Sequence, residues 1–223
     1  MAKWEKLKLL LFPPKCVLCG RLLGKEETDL CHTCRVEAPE FPRAKISFSF
    51  LAGWTAVWYY SGYVRTSLLR YKFCNVRSHA QCYGRLLAMK LLTQGWDRPD
   101  ILTWIPISAR RKSRRGFDQV ELIGRVVARE LELPLTPALK KIRHTPPQSR
   151  ISGAAARRAN VLGAYQAVNP EAIRGKTIWL LDDILTTGAT ASEAARTLLT
   201  AGAKQVYCAV VAAANHENFK NSR

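Results

Sequence analysis

Residues Leu180 to Thr190 read LLDDILTTGAT: an apolar run closes on two adjacent carboxylates and passes into a hydroxyl- and glycine-rich turn that opens a helix. Upstream, Thr177 to Leu181 (TIWLL) has the β-branched and apolar content of a strand buried on both faces of a sheet. Downstream, Thr190 to Thr200 (TASEAARTLLT) consists of helix formers, and Gly202 is placed to stop the helix. The loop Thr186, Thr187, Gly188, Ala189, Thr190 therefore falls at a helix amino terminus. Unpaired amides and the positive end of the macrodipole favour a phosphate there, and Gly188 lets the backbone approach closely. Asp182 and Asp183, one step earlier, can accept hydrogen bonds from two vicinal hydroxyls or hold a divalent ion through water. A diol acceptor beside a phosphate cradle describes a site for a ribose 5-phosphate. The competing interpretation is a strand, a turn and a capped helix, because Thr190 and Glu193 form a Thr-x-x-Glu capping box. A cap alone explains neither the double Asp nor Thr-Thr-Gly. Phosphate-binding P-loop and dinucleotide glycine motifs are absent from the sequence.

Cysteine spacing defines a second unit. Cys16, Cys19, Cys31 and Cys34 form two CxxC knuckles eleven residues apart, with Gly20 permitting the first turn. Four thiolates presented from two tight turns suit a tetrahedral structural Zn²⁺, which leaves no open coordination position and so assigns the unit to folding or docking. His32 is an outside candidate ligand; a pair of disulfides, mononuclear iron and an iron–sulfur centre are the competing explanations. Cys74, Cys82 and Cys208 are expected in the core.

Along the rest of the chain, Ile46 to Tyr60 alternates in a strand-like manner, with Trp54, Trp58, Tyr59 and Tyr60 expected to be core aromatics. Lys72, in Arg70-Tyr71-Lys72-Phe73, reads as a solvated charge. His79 to Thr93 has helical spacing, Ile101 to Ile107 reads as a strand, and Asp118 to Leu131 carries an apolar face that would cover a sheet. Gln205 to Ala213 supplies a further strand. Strands and helices in this alternation indicate an α/β fold with a parallel sheet. After the strand ending near Pro106 come five cations within six positions, Arg110, Arg111, Lys112, Arg114 and Arg115. Pro134 to Gly163 reads as a long irregular stretch, and such segments in compact domains are usually functional or mobile.

These features together resemble a known family. LLDDILTTGAT is similar to the PRPP-binding motif of type I phosphoribosyltransferases, which implies that Asp182 and Asp183 bind the ribose hydroxyls and that Thr186, Thr187, Gly188, Ala189 and Thr190 bind the 5-phosphate. Arg114-Arg115-Gly116-Phe117-Asp118-Gln119 resembles the RRGFNQ element of the competence protein ComF family, with Asp118 in place of Asn. The order of CxxC knuckles, this element and the C-terminal motif covers most of the chain. The resemblance implies a parallel-sheet type I phosphoribosyltransferase-like fold behind a small N-terminal zinc ribbon. It divides the chain into a four-Cys ribbon over 1–45, a phosphoribosyltransferase-like domain over 46–215 and a polar tail over 216–223. It further implies a pyrophosphate site at Arg110, Arg111, Arg114 and Arg115, a flexible active-site loop with Arg143, Gln148, Arg157 and Asn160, and Mg²⁺ accompanying PRPP. A transferase reaction with an unknown acceptor is implied, and no base pocket can be read from Trp54, Tyr60 or Phe73. The resemblance also implies a role in DNA uptake and natural transformation, with single-stranded DNA and competence or helicase proteins as partners. The alternative is a non-catalytic single-stranded DNA-binding factor that keeps the fold.

Charge agrees with an anionic ligand. The 223 residues carry 35 Lys and Arg against 17 Asp and Glu, a net charge of +18, which favours a polyanionic partner over a neutral one. Between Pro106 and Asn160 stand 13 Lys and Arg against 4 Asp and Glu, half of the whole excess. The 48% hydrophobic and 23% charged composition is that of a globular chain able to bury one core. The apolar run in LKLLLFPP is too short for a signal segment or a membrane span, so a cytoplasmic protein without membrane insertion is expected.

Overall fold

The computed structural model describes residues 13–146 and 151–215. After the ribbon helix α1 (His32–Glu37), the elements run β1 (Gly53–Tyr59), α2 (Gly62–Phe73), α3 (His79–Leu92), β2 (Ile101–Trp104), α4 (Ala109–Arg115) and α5 (Gln119–Glu130). They continue through β3 (Leu139–Lys141), α6 (Ala154–Val161), β4 (Tyr165–Ala167), α7 (Pro170–Ile173), β5 (Thr177–Leu185), α8 (Ala189–Thr200) and β6 (Gln205–Ala213). Four strands form one sheet in the order β1-β6-β5-β2, and every pairing in it is parallel. The expected α/β class with a parallel sheet is therefore what the chain adopts. β3 and β4 make a separate antiparallel ribbon.

The period of two along β5 explains why its sequence is apolar throughout. Ile178 and Leu180 enter one core cluster, with Ala194, Ala195 and Leu198 of α8; Trp179 and Leu181 enter the other, with Leu68, Tyr83, Leu87 and Ile123 from α2, α3 and α5. The strand is thus covered on both faces. Gly84 sets the spacing of α3 on α5, since a Cβ there would lie 2.4 Å from Val126 Cβ.

Several expected boundaries shift. β5 runs four residues past Leu181 because its parallel register with β6 continues to Leu185 opposite Ala213, so both aspartates lie within the strand. β1 occupies only 53–59 of the strand-like 46–60 stretch, and β2 stops at Trp104. Within the 134–163 stretch two short regular elements form, β3, which pairs with β4, and α6; the rest of its described residues are outside helices and strands. α2 is an element not expected from the sequence, although Val64, Leu68 and Tyr71 recur at helical spacing and are fully buried. Trp54 and Trp58 are core residues as expected, and Tyr59 and Tyr60 are half-buried. Cys82 and Cys208 are buried, but Cys74 is exposed, because it follows the last turn of α2 at the surface.

Candidate functional site

The end of β5 opens into a small cavity lined by Asp182 and by Ile184 through Ala191, so the expected Thr186, Thr187, Gly188, Ala189 and Thr190 come together there with one of the two acids. α8 starts at Ala189, with Gly188 as its cap at φ +73°. The capping box does not form: Glu193 instead accepts from the Gly163 amide at 2.7 Å and pairs with Arg196. Gly188 is required sterically as well as by its φ, since a Cβ there would stand 2.2 Å from the Phe48 ring. The close approach foreseen for a phosphate is therefore made, on that side of the loop, by an aromatic ring from the segment preceding β1.

Strand alternation separates the two carboxylates. Asp182 is half-buried against the cavity. Burial first, and the neighbouring Asp183 second, raise its pKa above the usual carboxylate range. Asp183 is 5% exposed and both its oxygens are engaged: Oδ1 accepts from Lys72 Nζ at 2.8 Å and Oδ2 from Gln119 Nε2 at 3.1 Å. Lys72 is thus an ion-pair partner and not the solvated charge its sequence context suggested. Asp183 N–H also donates to Asp182 Oδ1 at 2.8 Å.

The five-cation run folds as the short helix α4, where helical spacing sorts the arginines into two pairs. Arg110 and Arg114 are exposed, while Arg111 and Arg115 are half-buried. Arg111 donates to the Thr145 carbonyl at 2.7 Å, and Arg115 donates to Gln119 Oε1 at 2.8 Å while lying 5.1 Å from the centroid of the exposed Phe73 ring. Gln119 consequently joins Arg115 to Asp183, and the RRGFDQ-like element meets the double-aspartate segment through it. Asp118 caps α5: one oxygen accepts from the amides of Val120 and Glu121, the other from Ile107. Three N–H donors call for an acceptor-only side chain, which explains Asp where the related element has Asn.

Lys141 and His144, not among the expected pyrophosphate residues, belong to the same neighbourhood. Burial and Arg111 lower the Lys141 pKa to about 8, against an opposing pull from Asp182; its ammonium has the Tyr165 hydroxyl at 3.2 Å. His144 accepts from or donates to Ser108 Oγ at 3.0 Å, and its pKa is lowered by desolvation and by Arg111, Arg110, Lys141 and Arg114. A concentration of cations that repel one another is electrostatically incomplete without an anion. The three-residue strand β3 that carries Lys141 is too short to give a periodic signal by which to find it.

Of the expected flexible-loop residues, three bind main chain. Arg143 donates to the carbonyls of Asn160 and Leu162, Asn160 donates to Pro146, and Arg157 donates to Ile151. They tie the ends of the segment together. Gln148 lies outside the described residues.

In the ribbon, Sγ atoms of Cys16, Cys19, Cys31 and Cys34 all lie within 4.8 Å of one another, with Cys19 and Cys31 at 3.8 Å. Sulfurs about 2.3 Å from a tetrahedral Zn²⁺ would be about 3.8 Å apart, so the residues fit a structural zinc. Gly20 takes φ +83° in the first knuckle, and Cys31 caps α1 in the second. His32 is exposed and outside this group. The ribbon docks on α2 and α3: Ser67 Oγ and Arg70 donate to the carbonyls of Val17 and Leu18, and Arg85 pairs with Asp29. Among the described residues no helix is long and apolar enough to cross a membrane.

Comparison with known proteins agrees with both units. The phosphoribosyl transferase domain family matches residues 121–222, and the double zinc ribbon domain family matches residues 7–45. The DNA utilization protein YhgH of Escherichia coli O157:H7 is 34% identical over 144 residues, covering 61% of this chain and 62% of that protein, so the match spans less than two thirds of that relative. The protein of the same name from Salmonella typhimurium is 30% identical over 205 residues, covering 86% of this chain and 88% of the relative. Competence protein F of Haemophilus influenzae is 26% identical over 215 residues, covering 86% and 93%. With a phosphoribosyltransferase-like parallel sheet, a four-cysteine ribbon docked on it and relatives of this kind along most of its length, the chain belongs to the competence protein ComF family.

Proposed function

We propose that this chain binds PRPP, or a closely related pentose phosphate bearing a diphosphate, at the end of β5, and that it serves DNA uptake as the names of its relatives suggest. The observation that carries the first part is the cavity lined by Asp182 and by Ile184 through Ala191, with the mutually repelling cations Arg111 and Lys141 close by and Lys141 within electrostatic reach of Asp182. The loop from Thr186 to Thr190 supplies hydroxyls and helix-end amides for the 5-phosphate. Asp182 faces the ribose hydroxyls, and Arg110, Arg111, Arg114 and Arg115 take the diphosphate. Arg143, Gln148, Arg157 and Asn160 belong to the segment that closes over it. Mg²⁺ accompanying the ligand would be held by Asp182 through water and would neutralise diphosphate charge.

In a transfer reaction the bond from C1 to the diphosphate breaks with positive charge growing on the sugar and negative charge on the leaving group. Cations aimed at that developing charge contribute on the order of 10²–10³-fold each. The acceptor stays open in this reading. The ribbon over 1–45 acts as a structural zinc unit docked on the domain over 46–215, with 216–223 as a polar tail. A second reading, a binding protein for single-stranded DNA with competence or helicase proteins as partners, is favoured by the exposed Arg110 and Arg114 and by the net charge of +18.

Isothermal titration of the full chain with PRPP and Mg²⁺ tests the site. The expected outcome is saturable binding by the wild type and a loss of at least about tenfold in Asp182→Ala. Absence of binding by the wild type would leave the DNA-binding reading in its place.

A further inference from the structure

We propose that Lys72 is a diphosphate-contacting residue of this site and that Asp183 is its positioning residue, an inference that rests on the pentose-phosphate reading above. Asp183 does not line the cavity that holds Asp182. It is buried on the opposite side of β5, where Lys72 takes one oxygen and Gln119 the other. With both oxygens engaged, Asp183 is built to hold a cation, not to meet a hydroxyl.

Lys72 itself is incompletely satisfied. Its side chain is only 17% exposed and that of Asp183 7%, yet an ammonium has three donors and, among the described residues, Lys72 has Asp183 as its one partner. Two N–H groups of a largely desolvated cation thus remain for an acceptor. A second cation stands close by: Gln119, on the other oxygen of Asp183, also accepts from Arg115, whose own Nε is buried without a hydrogen-bond partner among the described residues; Asp182 and Asp118 add negative charge nearby but no hydrogen bond to either cation. One carboxylate therefore gathers two cations whose donors are not used up. Lys72 near the end of α2 meets Asp183 directly and Arg115 at the end of α4 meets it through Gln119 of α5, while Asp182 lines the cavity with the Thr186 to Thr190 loop. A pentose seated over Asp182 with its 5-phosphate in that loop would direct its other end toward Lys72 and Arg115. A diphosphate, multiply charged and rich in acceptors, matches that remaining donor set.

The test measures binding of inorganic pyrophosphate and of ribose 5-phosphate, each with Mg²⁺, to the wild-type full chain, to Lys72→Met, to Lys72→Arg and to the Lys72→Met/Asp183→Asn pair. Lys72→Met is expected to lose pyrophosphate affinity by about tenfold or more while ribose 5-phosphate binds as before; Lys72→Arg recovers part of the loss. The paired variant removes the stranded buried carboxylate and is expected to regain thermal stability without regaining pyrophosphate. Because the pair is free of an unpaired charge, it decides the matter even if Lys72→Met does not fold. Wild-type pyrophosphate affinity in the pair would overturn the proposal and reduce Lys72 to a counter-ion for Asp183. Failure of the wild type to bind either probe would instead bring down the pentose-phosphate reading and this inference with it.

Discussion

Neighbouring residues on a strand face opposite ways, and this alternation gives Asp182 and Asp183 different chemistry although the sequence presents them as a pair. Asp183 has Lys72 and Gln119 to stabilise its charge. Asp182 has the amide of Asp183 but also burial and a like charge beside it, and its pKa is raised. A carboxyl whose folded pKa exceeds its unfolded value holds an extra proton in the folded chain between those two values. Stability is therefore highest at the low end of that window and falls as pH climbs through it. Asp182→Asn removes this slope. Thermal unfolding should show the variant more stable than the wild type at about pH 8, with the advantage shrinking at about pH 5, while PRPP binding weakens at both. An offset of equal size at the two pH values would count against a raised pKa at Asp182. A ligand-facing group that costs stability where it is ionised is the pattern expected of a binding residue, not of a structural one.

At the scale of elements, what could be read in advance follows from periodicity. β5, α3, α5, α8 and β6 carry continuous apolar runs or helical stripes, and these determine the sheet and its covering layers. α2 was legible in principle from Val64, Leu68 and Tyr71, but Tyr63, Leu69 and Phe73 stand off that face among polar and basic residues, so its stripe is weak. α4 and the β3–β4 ribbon were not legible, because a seven-residue run of mostly cations and two three-residue strands are too short to show a period. The same gap hid Lys141, the last residue of β3, while Lys72 lies in the weak stripe of α2. α2 also links the two units of the chain. Cys16, Val17 and Leu18 share a core cluster with Leu68, Tyr71 and Tyr83, and Ser67 and Arg70 bind the ribbon backbone. Zinc release should then loosen α2 and with it the placement of Lys72. Purified protein is expected to contain about one zinc per chain, and a chelator should lower both the unfolding midpoint and pyrophosphate affinity. A ribbon that melts on chelation while pyrophosphate binding stays at its original strength would show that α2 keeps its position without the metal.

For the whole molecule, the excess of +18 is divided between two uses. Arg111, Arg115 and Lys141 are half-buried, whereas Arg110 and Arg114 on the same α4 helix as the two arginines are exposed. Lys112, between them, is already paired with Glu121. Exposed charges without acid partners are those that exchange salt ions for phosphates, so a single-stranded DNA interface should draw on Arg110 and Arg114 more than on the inward pair. Each phosphate contact on a single strand contributes about 0.7 to the slope of log affinity against log salt. The Arg110→Ala/Arg114→Ala variant is therefore expected to lower the magnitude of that slope by about 1.4 if both arginines contact phosphate. The measurement is a salt titration of oligonucleotide binding, repeated with saturating PRPP and Mg²⁺. A reduced slope together with displacement by PRPP would mean that DNA and the pentose phosphate compete for one basic surface. A reduced slope without displacement would place the strand along the outer face of α4, and an unchanged slope would remove α4 from any DNA interface.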